Sequence, residues 1–558
     1  MKDQKIFYIF VFVVVGGLFA ACASSVPPVD TAPEAMPGST VPGSTNIVMA
    51  ADFNDGTCQW VEAGGPYTSF KISGDQFHSA PYSYFLYGRK DAWNGVVWNQ
   101  GSYLAGNKTY IFSAWVYQET ENAQTAQFAV TVNQGSGFTD KAGKRFIVAE
   151  TLVQPNTWTL LQGEFTAPED GIVYRPAIAF SDSLCDFYTD DISIRLKDGM
   201  VAANDIQDNL LAIKDAPVFK QRNLLIGSGI GNTVLSDPTG NTQKLTAKHF
   251  NSIAISNSFK PQYIMDYPSS VADMPAHNER VALNFSILLP YMNFARENNL
   301  VMSAQALLWY NLTPAWFFHV GYDEKQPLAG RDLMLKRMEN YIKDVLEWCK
   351  TNYPGMFKMW VVANESIQPV NGAGAMRNDN WFKTVGEDYV AKAFEYAGKY
   401  KENGMDLVYN DFNLESNAVK IDYLLDYIDK YKVKLDAIGF QMHVSMDRPN
   451  KTALKNNLEK TKARGLGVYI SEMDVDNSSN TKEANAALRS RYYDLISTIL
   501  GANINLKGIN WWCLTDGYTW LTTSKGGARY PLMFDINNQA KPAYYGVIEA
   551  AGAAVPKQ

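Results

Sequence analysis

Glu365 and Glu472 are the residues whose type and placement suggest chemistry. Each follows an apolar run, Trp360-Val361-Val362-Ala363-Asn364-Glu365 in one case and Gly467-Val468-Tyr469-Ile470-Ser471-Glu472-Met473-Asp474 in the other. An aromatic and β-branched run that ends in polar residues reads as a buried strand emerging into a cleft. Two carboxylic acids at the ends of two such strands are what cleavage of a glycosidic bond requires. One protonates the leaving oxygen, and the other attacks or activates water. A single Glu at a strand end proves little, because charged side chains there are commonly solvated rim groups. The inference rests on the pair.

The elements that must position this pair are legible from about residue 219 onward. Candidate strands are 224–227, 252–255, 301–309, 357–365, 406–410, 437–443, 467–473 and 508–514, with amphipathic helices between most of them, including 332–350, 389–400, 421–432 and 484–500. That alternation predicts a TIM barrel, an α/β (β/α)8 domain over residues 219–555, whose strand C-termini line one face. A doubly wound sheet would offer one crevice, whereas polar residues close many of these strands: Asn410-Asp411, Gln441-Met442-His443, Glu472, and Trp512 with Asp516.

Upstream, residues 46–197 alternate in short runs such as Ser83-Tyr84-Phe85-Leu86-Tyr87 and Gln127-Phe128-Ala129-Val130-Thr131-Val132. They predict an all-β jelly-roll sandwich, joined to the barrel by a linker at 198–218. Residues 1–21 have the form of an export signal: Lys2 and Lys5 precede an apolar run too short for a lasting membrane helix. Leu18-Phe19-Ala20-Ala21-Cys22 resembles a bacterial lipoprotein processing site, which makes Cys22 the candidate lipidation site and the protein's link to a membrane. Residues 22–45, rich in Pro, Ser and Thr, read as a tether. The expected location is the cell envelope, as an outer-membrane or surface-exposed lipoprotein.

At 558 residues the chain is too long for one core, in line with this multidomain reading. A net charge of -7 and no basic stripe argue against nucleic acid, while 13% aromatic residues suit sugar faces that stack on flat rings. Cys58 and Cys185 lie near the two ends of the β segment, where a bridge is conceivable after export. Cys349 and Cys513 read as small buried hydrophobes.

Six motifs, kept in order, resemble family 10 glycoside hydrolases, whose best-known members are endo-β-1,4-xylanases: Trp360 to Glu365, Leu407 to Glu415, Asp436 to His443, Ile470 to Asp474, Trp512 to Trp520, and Pro531-Leu532-Met533-Phe534-Asp535. The resemblance implies Glu365 as acid/base and Glu472 as nucleophile of a retaining, endo-acting double displacement, with carboxyls about 5–5.5 Å apart. It implies sugar contacts at Asn257, Lys260, Gln305, Trp309, Tyr310, Asn364, Gln441, His443, Trp512 and Trp520, and no catalytic cofactor. Xylan is the implied substrate and a monomer the default. Departures bear on specificity: Ser256 stands where the family usually has Glu, Gln305 and Tyr310 where it has His, and Val361 where Asp is common. These changes leave open another β-glycan, or a glycan-binding surface protein with weakened catalysis.

The β segment resembles carbohydrate-binding modules of families 22 and 4 at Tyr87-Gly88-Arg89-Lys90-Asp91-Ala92-Trp93-Asn94-Gly95, at Thr157-Trp158-Thr159-Leu160-Leu161 and at Phe187-Tyr188-Thr189-Asp190-Asp191-Ile192. That implies a concave sheet face for a glycan, Arg89 and Trp93 beside it, and a structural calcium with Asp52 and Asp191 as candidate ligands.

Overall fold

The structure is a computed structural model. It describes residues 46–555 apart from 55–59, 64–66, 99–103, 133–143, 169–173, 200–205, 236, 238, 369–373 and 526. The export signal, the tether, Cys22 and Cys58 therefore lie outside the described residues.

The N-terminal part is β-rich. One antiparallel sheet is built around Thr109–Gln118 and Phe187–Leu196, flanked by Ser69–Ser73, Ser83–Tyr87, Thr159–Thr166 and Ile47–Ala51. A second holds Val61–Ala63, Gly95–Val97, Gln124–Val132, Lys144–Val153 and Tyr174–Phe180. Alternate residues of Thr109–Gln118 point inward, so Tyr110, Phe112, Ala114 and Val116 are buried, as the two-residue period of a strand requires. Aromatic edges fill the core: Phe112 meets Phe128 with ring centroids 5.3 Å apart, and Trp60 meets Trp98 at 5.6 Å.

The C-terminal part is an eight-stranded parallel barrel. Its strands are Leu225–Ile230, Ser252–Ile255, Val301–Trp309, Phe357–Asn364, Asp406–Asp411, Ala437–Phe440, Gly467–Asp476 and Asn505–Trp511. Pairing of the first strand with the eighth closes the cylinder, and the sixth pairs with the seventh. The inner layer, Ala306, Met359, Val361, Val408, Ala437 and Tyr469, is apolar, so the barrel is a packed core with its chemistry confined to one rim. Helices such as Arg331–Asn352 lay a buried stripe of Met334, Met338, Tyr341, Ile342 and Val345 against it.

Six of the eight strands differ at an end from those expected, and three of these differences bear on the site. The fourth strand stops at Asn364, so Glu365 is the first residue beyond it. The seventh runs on to Asp476, and its pairing with the eighth shifts register between Ile470 and Met473, next to Glu472. The eighth begins and ends three residues earlier, which places Trp512 and Cys513 in the following loop.

Candidate active site

Glu365 sits at a turn that its neighbours hold in an unfavourable conformation. Its φ is 54°, left-handed for a residue with a side chain, and its N–H donates to the Asn410 carbonyl at 2.9 Å. Glu472 is held in the seventh strand by its N–H to the Gln441 carbonyl at 3.0 Å. Amides at the ends of the fourth and fifth strands and just past the sixth then tie the two acids together. Asn410 Nδ2 donates to Glu472 Oε1 at 2.7 Å and to Asn364 Oδ1 at 2.9 Å. Gln441 Nε2 donates to Glu365 Oε1 at 3.0 Å and faces Asn364 Oδ1 at 3.3 Å. Ser471 Oγ donates to Asn410 Oδ1 at 2.6 Å, which fixes that amide and turns the Asn364 oxygen toward it. Asn364 Nδ2 is left facing Glu365 Oε1 at 3.4 Å.

The charges around the two acids are paired or packed. His443 Nε2 lies 3.2 Å from Glu472 Oε2 and its Nδ1 3.0 Å from Asp474 Oδ1. Burial depresses the imidazole's basicity, but the two carboxylates outweigh it and raise its pKa to about 10. Trp520 Nε1 donates to Asp474 Oδ2 at 2.8 Å, and its ring meets His443 at 4.9 Å. Lys260 donates to Asn257 Oδ1 at 3.0 Å and lies 4.5 Å from the Trp309 ring and 5.7 Å from that of Trp512. Its burial favours the neutral amine, while Glu472 and Glu365 favour the charged one; the net shift is downward. Behind the rim, Asp411 is buried with Lys420 at 2.6 Å; desolvation lifts its carboxyl to about 6 against the pull of the ammonium. Glu415, equally buried, is pushed to about 7 by desolvation.

The expected residues are distributed as follows. Glu365, Glu472, Asn364, Gln441, His443, Trp520, Lys260, Asn257, Trp309 and Trp512 are linked by the contacts above. Gln305 is buried on the third strand, and its Nε2 has no hydrogen-bond partner among the described residues. Tyr310, just past that strand, is 41% exposed, with the Arg377 guanidinium 3.8 Å from its ring centre. Asn410, Ser471 and Arg377 were not among the expected site residues. Asn410 had a usable signal, since it precedes Asp411 at the end of the fifth strand much as Asn364 ends the fourth.

In the β-rich part Arg89 is not a surface contact. It is buried, and its guanidinium donates to the backbone carbonyls of Asn94, Cys185, Ala92 and Phe180 at 2.7–2.8 Å, so it clasps loops instead of facing a ligand. Trp93 is open to solvent at 49%. Asp191 is engaged by His78 Nδ1 at 2.6 Å and by Ser79 Oγ at 2.9 Å, and exposed Asp52 accepts the Asn54 N–H. Among the described residues no group of three His, Cys, Asp or Glu side chains is placed to hold a metal. Cys185 Sγ accepts from Ser183 Oγ at 3.1 Å, Cys349 is buried as expected, and half-buried Cys513 donates to the Tyr518 carbonyl.

Comparison with known proteins puts this geometry in context. Residues 45–174 match a family described as a carbohydrate binding domain. The chain is 37% identical over 344 residues to endo-1,4-β-xylanase B of Butyrivibrio fibrisolvens, covering 60% of this chain and 52% of that one. It is 30% identical over 521 residues to endo-1,4-β-xylanase A of Thermoanaerobacterium saccharolyticum, covering 91% of this chain and 42% of that one. The chain thus spans about half the length of these relatives. In fold it is similar to the CBM22-1 and GH10 modules of endo-1,4-β-D-xylanase 10B from Clostridium thermocellum, solved with xylohexaose. That likeness has a TM-score of 0.58 at 22% identity and covers 91% of this chain and 97% of that one. Residues 215–550, the span that carries the whole barrel and both strand-end acids, match glycosyl hydrolase family 10, and the chain belongs to that family.

Proposed function

We propose that the protein is a retaining, endo-acting hydrolase of β-1,4-xylan. Glu472 attacks the anomeric carbon while Glu365 delivers its proton to the departing glycosidic oxygen, leaving a glycosyl ester on Glu472. Glu365, now a carboxylate, takes a proton from water as that water attacks the same carbon, and both acids return to their starting states. His443, held between Glu472 and Asp474, orients the nucleophile, and Asn364 stands beside both acids to meet a sugar hydroxyl. The observation that carries this reading is Asn410, whose one Nδ2 touches both Glu472 and Asn364 and so places the two acids in a single network. The β-rich part holds the polymer. The N-terminal signal directs export, and a lipid on Cys22 keeps the protein at the cell envelope.

Glu365→Gln and Glu472→Gln are each expected to lower kcat on xylan by at least about 10²-fold while the thermal midpoint stays near that of the parent. Product lengths from linear xylo-oligosaccharides report endo against exo attack, and unchanged hydrolysis by either variant would refute the assignment. A second reading, another β-glycan as substrate, is favoured by Gln305 and Tyr310 in place of two histidines. A panel of β-glycans separates the two readings.

A further inference from the structure

Arg377 has a place at the rim that the reaction does not account for. It follows the short strand Ala375–Met376, and its Nε donates to the backbone carbonyl of Glu365 at 3.0 Å. Its guanidinium lies over Tyr310, 3.8 Å from the ring centre. Guanidinium carries five N–H donors, and the four on the Nη atoms have no partner among the described residues. Five other arginines of this barrel pair with acids, while Arg222 and Arg491, like Arg377, bond to a backbone carbonyl. Arg280, Arg331, Arg464, Arg489 and Arg529 each pair with a carboxylate at 3.0 Å or less. The acid nearest Arg377 in sequence, Asp379, caps the helix Asn380–Val385 by accepting the Phe382 N–H, and it feels the Arg377 charge without forming an ion pair with it. Bracing the Glu365 turn needs Nε alone. A half-buried cation, fixed by an aromatic face and keeping its fork of donors free, is built to receive a planar anion.

We propose that Arg377 and Tyr310 form a recognition site for a carboxylate-bearing sugar, a uronic acid substituent on the β-glycan backbone beside the bond that is cut. Arg377 is one hydrogen bond from the main chain of Glu365, so a carboxylate held on its Nη atoms belongs to a sugar flanking the scissile linkage. Tyr310, 41% exposed, offers its remaining surface to the same substituent. The proposal rests on the reading of the protein as a xylan hydrolase and adds what distinguishes one xylan from another.

The test compares kcat/KM on three substrates: a linear xylo-oligosaccharide, the same chain bearing one uronic acid, and that decorated chain with its carboxyl reduced to the alcohol. The parent protein is expected to prefer the charged substrate over its reduced form by tenfold or more, with the preference carried by KM and falling as salt is raised. Arg377→Gln should abolish that preference, and Arg377→Lys should restore only part of it because an ammonium lacks the fork. Equal rates on the charged and reduced substrates, or a preference that survives Arg377→Gln, would overturn the proposal. If the parent leaves the linear oligosaccharide uncut, the hydrolase assignment falls. Calorimetric binding of the charged against the reduced oligosaccharide then still decides the role of Arg377.

Discussion

His443 carries the clearest consequence at the scale of single residues. Its folded pKa, about 10, lies above the ordinary 6.5, so protonation stabilises the fold. That contribution is fully present below about pH 6.5 and is lost as pH rises through about 10. His443→Asn removes the cation and leaves Glu472 and Asp474 facing each other. The variant should melt lower than the parent at pH 6, and the gap should shrink steadily toward pH 10, as thermal melts across that range will read. A gap independent of pH would mean that the imidazole is neutral in the fold. His443 was legible in the sequence through the motif it shares with Gln441, because a lone titratable group at a strand end is commonly a solvated rim residue. Ser471 carries no mark of its own, since a hydroxyl inside an apolar strand is common, whereas Asn410 is marked by its place before Asp411 at the end of the fifth strand. Arg89 misled for the opposite reason. A charged residue in a turn motif suggests a ligand, and only the folded loops reveal four backbone carbonyls converging on it.

Among the elements, the fourth strand shows best how the barrel was read and where that reading stopped. Its continuous apolar run named it as a strand, and its order among the other seven named the fold. Its end was less certain, because a left-handed turn at a non-glycine residue such as Glu365 leaves no mark in composition. The same holds for the eighth strand, where Trp512, Cys513 and Leu514 continue the apolar pattern past the last ladder bond and are buried or half-buried in a loop. Val361, where relatives of this family usually carry Asp, is fully buried among Ala306, Met359, Val408, Ala437 and Tyr469. None of these residues is a cation, the Tyr469 hydroxyl already donates to Asp406 at 2.9 Å, and the Gln305 amide opposite Val361 on the third strand offers a hydrogen bond but no charge. Val361→Asp is therefore expected to cost roughly 3 kcal/mol or more, although it restores the common residue. Urea unfolding measures it. A variant as stable as the parent would show that the inner layer admits water or a partner.

Across the whole molecule, the β-rich part is docked on the barrel by a small set of polar and aromatic contacts. Tyr87 Oη donates to Asp266 Oδ2, Tyr67 Oη to Glu324, and Asn284 Nδ2 to the Phe70 carbonyl. The rings of Tyr67 and Tyr267 meet edge to face at 5.0 Å, and Lys90 lies over Tyr267 at 5.7 Å. None of this was visible in the sequence, since each partner lies more than a hundred residues from the other and neither surface is apolar enough to announce an interface. The contact leaves no room for a side chain at Gly88. Its φ is 73°, and a Cβ there would fall 2.3 Å from Pro268 Cγ, part of a rigid ring near the start of the helix Tyr267–Asp273. Gly88→Ala must therefore strain the turn by about 1–2 kcal/mol and push the two parts apart. Calorimetry should show the melting of the β-rich part shifted below that of the barrel, with the barrel transition little changed. Adding Pro268→Ala separates the two causes. If loss of docking drives the shift, the double variant melts more nearly as one unit. If it melts like Gly88→Ala alone, the cost lies in the turn's backbone, and the two parts are coupled only through the chain that joins them.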